Sequence, residues 1–189
     1  SAATQKLYGI DNPTTRSYGS RCLMARRLVE RGVRFVQIFM SGQPWDTHGN
    51  NFGCLKDRLL PEFDRAFAAL LSDLHERGLL EETLVYVTSE MGRNPRIGDP
   101  RSGGPKGAGR DHWTNCMSLV MAGGGIQGGR VHGTSARLGA YPAEHPVAPE
   151  DIAKTVYHAA GVHDTFVIDR EGRPLDLLAE GRPLLSLFS

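Results

Sequence analysis

The chain has 189 residues, enough for one ordinary domain with appendages and for a sizeable buried core. Its 22 basic and 21 acidic side chains leave a formal net charge of +1, so there is no charge excess of the kind that draws nucleic acid. The 40% hydrophobic share argues against global disorder, and no apolar run approaches the ~18 residues of a membrane span.

Residues 1–17 are polar and read as an N-terminal arm, followed by a single domain over residues 18–189. The opening Ser1-Ala2-Ala3 has neither an initiator Met nor a hydrophobic leader, as a processed product or a fragment would begin. Cys22, Cys54 and Cys116 are scattered, which excludes a zinc knuckle and a disulfide framework. From Ser17 to Glu30, Cys22, Leu23, Ala25, Leu28 and Val29 recur at helical spacing, and Gly32 stands where a C-terminal cap belongs. Arg34 to Met40 (RFVQIFM) is β-rich and predicts a strand.

Leu59 to Leu80 predicts the clearest helix. Leu59, Leu60, Phe63, Phe67, Leu70, Leu71 and Leu74 form its apolar stripe, while Glu62, Asp64, Arg65, Asp73, Glu76 and Arg77 are expected in solvent. Thr83 to Thr88 (TLVYVT) and Ser118 to Ala122 (SLVMA) are short apolar runs, the pattern of strands covered on both faces. Glycines and prolines cluster around 92–109 and 122–133. Gly123-x-Gly125-x-x-Gly128 matches a dinucleotide fingerprint, but no helix start follows, so it reads as a glycine-rich turn. Pro149 to Ala160 predicts a last helix, with Glu150 and Asp151 in its first turn. Helices alternating with buried strands predict an α/β domain with a mostly parallel sheet.

Ligands of such sheets bind beyond the carboxyl ends of the strands. Asp46 and His48 follow Met40, Glu90 and Arg93 follow Thr88, and Gly109-Arg110-Asp111-His112-Trp113 precedes the SLVMA run. In an extended segment Asp46 and His48 point to one side. Joined by another histidine and acid from neighbouring strand ends, they supply the three or four ligands a divalent cation needs. The competing reading has Asp46 capping a turn and His48 in solvent. Arg93 and Arg110 are placed to clamp an anionic ester or to stand in solvent. Trp45 and Trp113 adjoin the clusters as pocket walls or as packing.

RFVQIF…WDTHGNN, LLEETLVYVTSEMGRNP, GRDHW and MAGGGIQGGRVHG occur in the order seen in the DUF1501 family. The chain resembles these bacterial proteins, which are placed in the alkaline phosphatase/sulfatase-like superfamily, over nearly its whole length. The resemblance implies a three-layer α/β/α fold with a mostly parallel sheet. It also implies that the chain corresponds to a C-terminal half lacking the N-terminal nucleophile strand, an edge that self-association or a partner would cover. It implies one divalent cation (Zn, Mn or Ca) on Asp46, His48 and His112. Glu90, with Asp111, would serve a second metal or act as a base. Met91 stands where that second site usually has a histidine, a poor ligand for a hard cation. The implied activity is hydrolysis of a phosphate or sulfate ester, on a small molecule or a glycan, in an exported protein. The alternative is a degenerate, non-catalytic member acting as a binding or interaction domain.

Overall fold

The computed structural model describes residues 1–40, 42–98, 107 and 109–188. Ser41, which opens the loop after Met40, and the middle of the glycine- and proline-rich run at 92–109 lie outside the described residues. The chain divides into two compact units, one of residues 1–79 and 89–117, the other of residues 80–88 and 118–189.

The first unit is organised by two helices. Helix α1 (Ala2–Leu7) leads to Tyr8, which is fully buried. Helix α2 (Arg16–Glu30) follows; Gly19 lies so close to the backbone at Tyr8 that a Cβ there would fall 2.0 Å from its carbonyl oxygen. After α3 (Asn51–Cys54) comes a π-helical turn, Leu55–Leu59, which runs into α4 (Leu60–Glu76). Helices α2 and α4 pack against one another and bury Cys22, Leu23, Leu59, Ala66, Leu70 and Leu74. Burial pushes the Cys22 thiol up to about 12. Leu60 stays 46% exposed, while Glu62 and Asp73, expected in solvent, are buried.

The reason for that difference is electrostatic. Asp73 accepts hydrogen bonds from Tyr8 (2.9 Å), from Arg26 (2.8 Å) and from Arg77 (2.6 Å). Glu30 pairs with both arginines. Glu62 accepts the Tyr18 backbone N–H at 3.1 Å. A carboxylate satisfied this fully can enter the helix interface, so the buried stripe turns toward the charges that match across it.

The expected three-layer α/β/α fold is not what the chain forms. Among the described residues the strands make four separate two-stranded ladders, all antiparallel. In the first unit β2 (Gly92–Arg93) pairs with β3 (His112–Trp113). In the second, β1 (Val85–Val87) pairs with β4 (Val120–Ala122), β5 (Thr134–Ser135) with β6 (Pro142–Glu144), and β7 (Phe166–Ile168) with β8 (Pro174–Asp176). Residues 34–40 form no ladder, and Phe35 and Phe39 are 78% and 68% exposed. Tyr86 in β1 is 41% exposed, so that strand is not covered on both faces. An apolar run signals a buried strand only where another layer covers it, and among the described residues Phe35, Phe39 and Tyr86 remain exposed.

Two further features order the second unit. Gly123 and Gly124 make a tight turn with positive φ; a Cβ on Gly123 would lie 2.4 Å from the Leu80 and Thr83 carbonyl oxygens. Helix α5 (Pro149–Ala159) is capped by Asp151, whose carboxylate accepts the backbone N–H groups of Ala148 and Arg182.

Candidate metal centre

The loop from Gly42 to Asn50 carries Asp46 and His48. It is not extended, as the two-residue spacing suggested. The backbone N–H of Asp46 bonds the Gln43 carbonyl, that of Thr47 the Trp45 carbonyl, and that of His48 the Asp46 carbonyl, so the loop winds in tight turns. Gln43 and Asn50 sit in the left-handed region at φ of 50° and 45°, a conformation that costs non-glycine residues energy and recurs at functional sites.

Three contacts hold the loop. Trp45 meets Phe63 of α4 edge-on at 6.0 Å. Thr47 is buried and its hydroxyl donates to Asn51 at the start of α3. Gly109 lies against the backbone at His48, where a Cβ would come within 1.3 Å of the His48 carbonyl oxygen. Only glycine allows that approach.

The β2–β3 ladder supplies the other half of the site. Arg93 pairs in register with His112. The two arginines lace the ladder: Arg93 donates to the Arg110 carbonyl (3.0 Å), and Arg110 donates to the carbonyls of Asn94 (2.6 Å) and Arg93 (3.2 Å). Arg93 also donates to the Trp45 carbonyl and to the Asp46 carboxylate. Its guanidinium thus fixes the acid rather than standing ready for an ester. Trp45 turns out to pack against α4.

Asp46 Oδ1, His48 Nε2 and His112 Nε2 converge. Their separations are 2.8 Å (Asp46 to His112), 3.0 Å (Asp46 to His48) and 3.2 Å (His48 to His112). A Zn–N distance of ~2.0–2.1 Å puts tetrahedral ligands about 3.3 Å apart, so this triangle is close to one face of such a coordination sphere. Among the described residues these three form the group able to hold a cation. Asp111 Oδ1 lies 3.2 Å from His48 Nδ1. A carboxylate accepting the Nδ1 proton leaves the Nε2 lone pair directed at the centre, as metal-binding histidines require. The His112 hydrogen bond and the Arg93 hydrogen bond and charge hold the Asp46 carboxyl down at about 2. It is therefore an anion at any ordinary pH.

The three side chains are 35%, 42% and 48% exposed for Asp46, His48 and His112. Asp46 and His48 also line a cavity of about 490 Å³ whose wall includes Gln43, Cys54 and Arg58. Asp46, His48, Asp111, His112 and Arg93 are thus brought together. Glu90 is not: it is exposed and stands outside the ligand group. The sequence reading assigned Asp111 to a second cation or to proton transfer, where the structure sets it behind His48. Arg58 was not singled out at all, although it lies one helical turn after Cys54.

A family model described as "Protein of unknown function (DUF1501)" matches residues 1–188. No curated protein and no solved structure matches the chain.

Proposed function

We propose that this chain, which belongs to the DUF1501 family, holds one divalent cation on Asp46, His48 and His112 and hydrolyses phosphate or sulfate esters beside it. The observation that carries this reading is the triangle of one carboxylate oxygen and two imidazole nitrogens within 3.2 Å of one another, open to a cavity. A cation there supplies Lewis acidity toward an ester oxygen and acidifies water. The chain's own residues supply the rest. Asp111 fixes the ring of His48, Arg93 fixes the carboxylate of Asp46, and the winding of the Gly42–Asn50 loop presents both ligands to His112 on β3. Glu90 takes no part in this reading, and one cation rather than two is assigned. We infer kinship with alkaline phosphatase/sulfatase-like enzymes, and export, from the family resemblance alone.

One observation favours a non-catalytic role. Asp46 Oδ1 already receives Arg93, and both imidazoles lie within hydrogen-bonding distance of it, so the cluster could serve purely as a polar latch joining the loop to the ladder. Arylphosphate and arylsulfate esters assayed with added Zn, Mn or Ca separate the two. Hydrolysis abolished by chelation and by His48→Ala supports the enzyme. Silence from a folded, cation-loaded chain supports the latch.

A further inference from the structure

The cavity lined by Asp46 and His48 has a charged wall. Among the described residues that line it, Arg58 is the only lysine or arginine. Among the described residues it makes no ion pair or hydrogen bond, whereas Arg93 and Arg110 are both committed to the ladder. It stands in the π-helical turn Leu55–Leu59, between Cys54, which shares the cavity wall, and Leu59, which is 1% exposed in the core. Insertions of this kind are uncommon and recur at functional sites, because they re-aim side chains without ending the helix. Here the turn anchors Leu59 inside while Arg58 faces the cavity.

A guanidinium with no protein anion to answer it among the described residues, on the same cavity wall as Asp46 and His48, suits a ligand that carries its own negative charge. Its planar fork of N–H donors matches the oxygens of a tetrahedral oxyanion. A neutral carboxylic ester offers no such charge. We propose that Arg58 is the anion-recognition residue of this cavity. It receives a non-bridging oxygen of a phosphoryl or sulfuryl group, and it selects anionic oxyesters over neutral acyl esters. This inference rests on the ester-hydrolase reading for its substrate, but the anion site itself is testable apart from the cation.

The experiment is calorimetric titration of inorganic phosphate, and separately of inorganic sulfate, into the wild-type chain, Arg58→Gln and Arg58→Lys, each with and without Zn. Arg58 is exposed, so its replacement leaves the fold intact, and thermal unfolding of each variant checks this. The expected result is binding of at least one of the two anions by the wild type. Arg58→Gln should weaken it by about tenfold or more, with Arg58→Lys between them and Zn stoichiometry equal in all three. The ratio of the phosphate and sulfate affinities tells which acid group the cavity prefers. Equal anion affinity in the wild type and Arg58→Gln overturns the inference, as does a wild type that binds neither anion. Failure of the wild type to take up Zn overturns the cation reading instead, and Arg58 is then judged on the Zn-free arm by the same two criteria.

Discussion

At the scale of single residues, the site depends on atoms that hold the ligands as much as on the ligands. Asp111→Asn keeps the shape but removes the charge that directs His48 Nε2 toward the centre. It should cost about 10- to 100-fold in Zn affinity while leaving the unfolding midpoint nearly unchanged; an unaltered Zn affinity would show that Asp111 does not orient the ring. Gly109→Ala tests the loop by geometry alone. The added methyl overlaps the His48 carbonyl, the backbone must move, and Zn binding should fall with it; retention of full affinity would mean that the loop adjusts without displacing His48. Much of this site was legible from residue types. Asp46, His48 and His112 stand out because a carboxylate and two imidazoles are what a divalent cation takes. Glu90, expected beside them because it follows an apolar run, is exposed and is not among the three residues that converge. Arg58 escaped notice because its neighbours in space, unlike its neighbours in sequence, are the residues that give it meaning.

Among the elements, the helices were readable, and the runs 83–88 and 118–122 do contain strands β1 and β4, whereas 34–40 forms none and the antiparallel pairing was not foreseen. The 3.6-residue period is local, so the sequence located α2, α4 and α5 to within a few residues. Which side of α4 faces inward depended on partners far along the chain, Tyr8 and Arg26, and these drew Glu62 and Asp73 into the interface. The partner of β1 lies far along the chain in β4, so RFVQIFM and TLVYVT looked alike while only the second found a partner strand. The buried Arg26–Asp73 pair follows from this packing. Arg26→Ala leaves the buried Asp73 carboxylate to Tyr8 and Arg77 alone and should lower stability by about 2–3 kcal/mol, read as a shift in urea midpoint; a loss below about 1 kcal/mol would show that the pair is not desolvated.

The whole molecule should be sensitive to acid in a particular direction. Burial pushes the Asp73 carboxyl up, but hydrogen bonds from Arg77 and Tyr8 and the charge of Arg26 outweigh it, and the net shift is downward. Asp151 is lowered by the backbone N–H groups of Ala148 and Arg182, and Asp176 by the Thr165 hydroxyl. A carboxyl that is more acidic folded than unfolded stabilises the fold above its unfolded pKa of about 3.9 and loses that contribution as pH falls through the folded value. The urea midpoint should therefore hold between about pH 7 and 5 and drop below about pH 4. Asp73→Asn should start lower and drop less steeply, and a midpoint that rises on acidification would reverse the sign of the argument.

Function turns on whether Asp46, His48 and His112 grip a cation, and elemental analysis of the purified chain after Zn loading and desalting tests this most directly. The account predicts about one Zn per wild-type chain and almost none in His48→Ala, with both proteins equally folded by circular dichroism. A wild-type chain that retains no Zn, or a His48→Ala variant that retains as much as the wild type, would contradict it.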